Sequence, residues 1–204
     1  MRRTLLIAAA LLSAACASRQ STSEAAPGTE AGPAPVAAPA GTATPGETLT
    51  EYDLTHDGKT DVWKYTVKDA TGKEVLSRKE KDLNGDGKVD TWEYYAPDGT
   101  LSKLVYDMDF DGKPDVTLYF EKDQLVRKEY AFGFDGIPHS FNYYEKNKLV
   151  RKERDTNGDG KIDYWEYWEN GEIDRIGIDV DADGQVDKWE SRRTAAAAEP
   201  GKAP

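Results

Sequence analysis

One acidic, glycine-punctuated pattern recurs six times between residues 53 and 190: Asp-x-Asn/Asp-x-Asp-Gly-x-x-Asp, an aromatic couplet, a turn, then Leu-x-Arg. The copies begin at Asp53, Asp82, Asp107, Ala131, Asp155 and Asp179, spaced 29, 25, 24, 24 and 24 residues apart. A period in the twenties denotes stacked supersecondary units, none able to bury its own apolar face alone. The period also limits the unit: removing a 12-residue loop from a repeat of 24 leaves no room for two helices and a turn. The flanks alternate and are rich in strand formers, as in Thr91-Trp92-Glu93-Tyr94-Tyr95 and Tyr164-Trp165-Glu166-Tyr167-Trp168. Asp98-Gly99 and Asn170-Gly171 are hairpin-turn signals, and Glu145-Lys146-Asn147-Lys148 fills the same slot. Each unit reads as strand, tight turn, strand, acidic loop. The expected fold is all-β: an elongated antiparallel meander or β-solenoid of about six stacked hairpins over residues 48–193. A propeller blade needs four strands and about 40 residues, which one period does not supply.

Alternation sorts the faces. Trp63, Trp92, Phe141, Trp165 and Trp189 share one register position, with Thr117 the exception, and Tyr65, Tyr94, Tyr119, Tyr143 and Tyr167 follow two residues later. Return strands carry Leu101, Leu125, Leu149 and Ile173, with Lys103, Arg127, Arg151 and Arg175 two residues on. The structural reading is a stacked aromatic core under long basic stems. The functional alternative is an exposed Trp/Tyr stripe that stacks on glycan or peptidoglycan, or on a protein partner.

The ends have a different character. All 21 aromatics lie between Tyr52 and Trp189. Residues 16–47 are rich in Ala, Pro, Thr and Gly and cannot bury enough surface to offset ordering, so they read as a disordered tether, and 194–204 as a disordered tail. Residues 1–15 read as a signal peptide: Arg2 and Arg3 precede eight apolar residues, Leu5 to Leu12, far short of the about 20 a transmembrane helix needs. Leu12-Ser13-Ala14-Ala15-Cys16 resembles the lipobox of bacterial lipoproteins. The resemblance implies acylation of Cys16 and, with Ala17 rather than Asp next, an outer-membrane lipoprotein on the periplasmic side or the cell surface. Ordinary cleavage leaving a free thiol is the alternative.

The acidic loops carry the chemistry. Calcium takes six to eight hard oxygens, and alternating loop positions converge only where the chain turns sharply, hence Gly at the sixth position. Asp82, Asn84, Asp86 and Asp90 form one set, with Lys88 offering its carbonyl; Asp155, Asn157, Asp159 and Asp163, with Lys161, form another. Asp179, Asp181, Asp183 and Asp187 form a third, and Asp107, Asp109, Asp111 and Asp115 a fourth, while Asp53, Asp57 and Asp61 make a weaker one. Glu93, Glu166 and Glu190 stand at the twelfth position and are further candidate ligands unless the strand carries them away. The fourth copy, with Ala131, Gly133, Asp135 and His139, keeps Gly136 but not the carboxylates, and no calcium is expected there. Plain Asx-turn chemistry would favour the same residue types. It does not explain three or four carboxylates in nine residues, whose repulsion calls for a counter-ion.

These loops resemble those of thrombospondin type 3, dockerin and EF-hand-like repeat proteins, and units such as Tyr164 to Gly171 resemble hairpins of MORN-type repeats. The resemblance covers residues 52–190 and implies calcium binding, a surface location and no activity. The formal charge of −11 argues against nucleic acid, which needs a Lys/Arg excess. His56 and His139 are isolated in turns, and no nucleophile elbow, His/Cys cluster or phosphate loop occurs, so an enzyme is not expected. A hydrolase would require a pocket with carboxylates outside the calcium loops. The reading is a calcium-rigidified, membrane-anchored lipoprotein acting as a structural or protein-interaction module, with glycan binding the alternative.

Overall fold

Twelve strands follow one another in a computed structural model that describes residues 40–133 and 135–191. They are β1 (Thr48–Tyr52), β2 (Val62–Lys68), β3 (Glu74–Lys81), β4 (Thr91–Tyr95), β5 (Leu101–Tyr106), β6 (Val116–Glu121), β7 (Gln124–Tyr130), β8 (Ser140–Glu145), β9 (Lys148–Arg154), β10 (Tyr164–Glu169), β11 (Glu172–Ile178) and β12 (Lys188–Ser191). Every strand pairs antiparallel with its sequence neighbours, giving one open sheet in the order β1 to β12. The meander is therefore the arrangement formed, and no helix occurs among the described residues. The signal segment, Cys16, the tether to residue 39 and the tail beyond residue 191 lie outside the described residues.

The tight turns obey local sterics. Lys122-Asp123, Lys146-Asn147 and Asn170-Gly171 all adopt positive φ at both residues, as two-residue hairpins require. Each hairpin also has a bulge directly after its tyrosine, between Tyr65/Thr66, Tyr94/Tyr95, Tyr119/Phe120, Tyr143/Tyr144 and Tyr167/Trp168. Strict alternation would put Leu101 on the face of Lys103. The bulge pairs Leu101 with Tyr95 instead, and likewise Leu125 with Phe120, Leu149 with Tyr144 and Ile173 with Trp168. Opposed residues share a face, so the aliphatic row leaves the face of the basic row.

On the opposite face two rows cross the sheet. One alternates tyrosine with a cation, through pairs Tyr65–Arg78, Tyr94–Lys103, Tyr119–Arg127, Tyr143–Arg151 and Tyr167–Arg175. The cations sit over the rings at 3.5, 4.0, 4.2, 4.2 and 4.5 Å, close enough for cation–π attraction. The other row sets Trp63, Trp92, Phe141 and Trp165 against Glu80, Glu129, Glu153 and small or apolar residues, and these four rings are buried. Trp92 at 5% and Trp165 at 6% exposure are thus closed to a stacking ligand. Trp168 is half-buried, donating Nε1 to Glu166, and Trp189 on the last strand is 49% exposed. The core cluster, Trp63, Tyr65, Val89, Trp92 and Val105, sits at the N-terminal end of the sheet.

Candidate metal centre

In a meander alternate connections fall at the same end of the strands, so all six acidic loops share one end. The main chain welds them into a ladder. The ninth residue of each loop donates its N–H to the carbonyl preceding the loop, as in Asp61 to Tyr52 (2.9 Å), Asp90 to Lys81 (2.8 Å) and Asp187 to Ile178 (3.0 Å). The first residue of each later loop donates to the ninth residue of the loop before it: Asp82 to Asp61 (2.9 Å), Asp107 to Asp90 (2.8 Å), Asp179 to Asp163 (3.0 Å).

Carboxylates then organise each loop from within. The first Asp accepts from the sixth-position glycine: Gly58 to Asp53 (2.9 Å), Gly87 to Asp82 (2.7 Å), Gly112 to Asp107 (2.7 Å), Gly160 to Asp155 (2.8 Å) and Gly184 to Asp179 (2.7 Å). The ninth Asp accepts from the second residue: Leu54 to Asp61 (2.6 Å), Leu83 to Asp90 (2.6 Å), Met108 to Asp115 (2.6 Å), Thr156 to Asp163 (2.9 Å) and Val180 to Asp187 (2.8 Å). Asx-turn chemistry is therefore present. An ionised carboxylate has about four lone-pair sites, so these bonds leave capacity for a cation.

In two loops that capacity converges. One oxygen each from Asp107, Asp109 and Asp115, and one each from Asp179, Asp181 and Asp187, lie within 4.8 Å of one another. Ligands at 2.3–2.6 Å from one calcium ion are at most about 5 Å apart, so both sets fit a hard divalent cation. Asp111 and Asp183 are not in these groups; they accept from the N–H of Lys113 and Gln185, and Asp111 also meets Lys113 Nζ at 3.1 Å. In the Asn-bearing loops, Asn84 and Asn157 accept from Asp86 and Asp159, which in turn accept from the N–H of Lys88 and Lys161. Asp57 accepts likewise from Lys59.

The twelfth-position glutamates are not brought to the loops. Glu93 meets Lys79 at 3.2 Å and Lys81 at 2.5 Å, Glu166 meets Lys152 at 3.5 Å, and Glu190 meets Lys188 at 2.6 Å. The Glu93 carboxyl, pushed up by burial, is pulled down further by Lys81, Tyr95 and Lys79 to about 2. These three candidates thus meet lysines of the strands and are not in the two aspartate groups described above.

Proton affinities differ among the first-position aspartates. Burial raises the Asp107 carboxyl above the ordinary carboxylate value. Burial also pushes Asp155 up, but the amides of Gly160 and Gly158 and the His139 ring outweigh it, and the net shift is downward. His139 stands at the ninth position of the fourth loop, its ring nitrogens 3.3 Å from Asp155 and 3.3 Å from Asp135.

Two loop positions matter that the carboxylate pattern does not announce. Val89, eighth in its loop, is buried in the aromatic cluster. Leu54, Leu83, Met108, Phe132 and Val180, second in theirs, are all exposed by more than 60%. Their recurrence at the repeat period is the signal that marks both.

Comparison with known proteins bears on this loop chemistry. The EF-hand family matches residues 153–169, which contain the loop from Asp155 to Glu166. No curated protein matches the chain. Among solved structures it is similar to part of the GtfA/B complex (15% identity, TM-score 0.37, covering 50% of this chain and 19% of that one). It is also similar to part of the accessory secretory protein 1, 2 and 3 structure of Streptococcus pneumoniae (12%, TM-score 0.34, 68% and 20%). A third likeness is to TarM (11%, TM-score 0.31, 63% and 21%). The chain spans about a fifth of the length of each, and these partial likenesses bear on neither fold nor function. The EF-hand match and the aspartate clusters together are compatible with a hard divalent cation, Ca2+ among those that carboxylate oxygens suit.

Proposed function

We infer that the domain binds calcium in its acidic loops and that the ion stiffens a repeat sheet serving as an interaction module. The observation that supports this is the convergence of first, third and ninth carboxylates in two loops, beside an EF-hand match in another. Held without a counter-ion, such carboxylates repel; an ion bound only by the folded loops stabilises the fold by mass action. No catalytic constellation is needed for this role. Anchorage through acylated Cys16 to a bacterial outer membrane belongs to the same reading, as does a protein partner. Calorimetric calcium titration tests the core of it: the expected result is saturable binding with a raised melting temperature, and no response at millimolar calcium overturns it. Loss of palmitate labelling on Cys16→Ala tests the anchor.

A further inference from the structure

Apolar exposure is concentrated where the acid is. Among the described residues, seven of the nine large apolar side chains that stand exposed belong to the six loops. Five of them, Leu54, Leu83, Met108, Phe132 and Val180, hold the second position, where only the fifth loop has a polar residue, Thr156. Single exposed apolar residues are ordinary. A row that returns at the repeat period, all at one end of a sheet, marks an interaction surface.

The fifth position repeats with it. Asp57, Asp86, Asp111, Asp135, Asp159 and Asp183 are exposed in all six loops, and each accepts through Oδ1 from the N–H of the seventh residue. This is the one carboxylate that the fourth loop keeps. With Ala131, Gly133 and His139 at its first, third and ninth positions, that loop still presents Phe132 and Asp135. The apolar–acid couple is thus separate from the carboxylates that converge in the third and sixth loops, neither of whose groups includes the fifth residue. Successive loops also share grooves. Leu54 and Leu83 line one with Asp57, and Phe132 lines another with Asp155 and Asn157 of the next loop.

Charge and spacing identify the partner. The six nine-residue loops hold 18 aspartates against four lysines, a formal charge of −14, while the whole chain carries −11. All the net negative charge therefore lies in the loops, and a divalent cation in each aspartate group would still leave −10. An anionic bilayer or a second copy of the same rim is repelled, and a basic partner is attracted. Neighbouring loops are two strands apart, about 10 Å at ordinary strand spacing. Two turns of an α-helix rise about 11 Å, so apolar side chains seven residues apart meet successive loops. We propose that the loop end of the sheet binds a basic amphipathic helix of another protein. Its apolar stripe lies on Leu54, Leu83, Met108 and Phe132, and its cations on Asp57, Asp86, Asp111 and Asp135. This names the partner chemistry of the interaction module and rests on that reading, but not on calcium.

The test titrates the full chain, by NMR and calorimetry in calcium and in chelator, with a three-heptad synthetic peptide bearing leucine at the first and fourth positions of each heptad and lysine elsewhere. The expected result is saturable binding that shifts resonances of Phe132 and Ile137 and weakens at high salt. It should fall about tenfold when Leu54→Ser, Leu83→Ser, Met108→Ser and Phe132→Ser are combined, because apolar burial is lost. These side chains are exposed, so melting temperature and calcium titration should stay unchanged. Absence of binding at millimolar peptide overturns the proposal. Equal binding to the serine variant, or of a scrambled peptide of the same composition, is charge attraction alone and overturns it too. So does calcium-dependent sedimentation with phosphatidylglycerol vesicles that the serine variant loses, which assigns the apolar row to a lipid surface. If the variant does not fold, the scrambled peptide on the unaltered protein decides. Calcium binding without peptide binding sinks this inference alone; peptide binding without a calcium response sinks the preceding one alone.

Discussion

The fourth loop and the third share their closing main-chain hydrogen bonds and differ in their carboxylates. In both, the ninth residue closes the loop (His139 to Tyr130 at 2.9 Å, Asp115 to Tyr106 at 2.8 Å) and the first joins it to the loop before (Ala131 to Asp115, Asp107 to Asp90, each 2.8 Å). Both turn at a left-handed glycine, Gly136 (φ 76) and Gly112 (φ 91). Yet the third loop gathers three carboxylates within 4.8 Å, and the fourth keeps only Asp135 beside an imidazole. Main chain and glycine are common to both turns. The third loop adds carboxylates that hold its own amides and keep lone-pair capacity that a cation would use.

The widest test of this contrast is removal of the acid where it converges. Asp115→Asn with Asp187→Asn is expected to abolish calcium stabilisation at both clusters, about 2.7 kcal/mol for each site when calcium is at 100 times Kd. Calorimetric stoichiometry should fall by two; an unchanged stoichiometry would break the comparison. The reverse graft, Ala131→Asp, Gly133→Asp and His139→Asp, should add one calcium-binding event in the fourth loop, worth about 2.7 kcal/mol under the same condition. Failure to gain a site would mean that the backbones differ in a way that matters.

Glycine substitutions probe the shared part. Gly112→Ala and Gly136→Ala should each lose about 1–2 kcal/mol in chelator, because an L residue is strained at positive φ. Urea melts that differ greatly between them would show that the loops do not share one steric requirement. The smallest effect is pH-dependent. Asp135 is held below its ordinary pKa by the Ile137 amide and His139, and Asp155 by its glycine amides and His139 against burial. Their contributions are present above the unfolded-state value near pH 4 and are lost as pH falls through the lower folded values. Asp107 has the opposite sign: its raised pKa makes protonation favour the folded state, and protons should compete with calcium sooner there than at Asp155. Calcium affinities from pH 4 to 7 for loop-specific Asp→Asn variants would expose a reversed order.

The repeat made the architecture legible because strand, turn and loop each have their own local chemistry, and each unit restates the others. Asn170-Gly171 and the six sixth-position glycines could be placed from steric rules alone. The bulge after each tyrosine could not. It inserts Ser77, Ser102, Val126, Val150 or Asp174, residues with nothing in common, so no side-chain pattern marks it. Glu93, Glu166 and Glu190 match the EF-hand spacing, but in the strands they pair with lysines. The docking of residues 42–47 on Arg78 of β3 was hidden for another reason. Composition puts residues 40–47 in the tether, whereas they dock through main-chain groups and the single carboxylate of Glu47, contacts that hydrophobic content does not register.

Strand order has a kinetic consequence. No strand pairs with any but its immediate predecessor and successor, so no contact in the sheet requires a long loop to be closed before it forms. Contact order is low for an all-β protein, and folding can begin at any hairpin and extend in either direction without waiting for the far terminus. A chain that emerges gradually, from a ribosome or through a narrow pore, can bury each aromatic row as the next hairpin arrives.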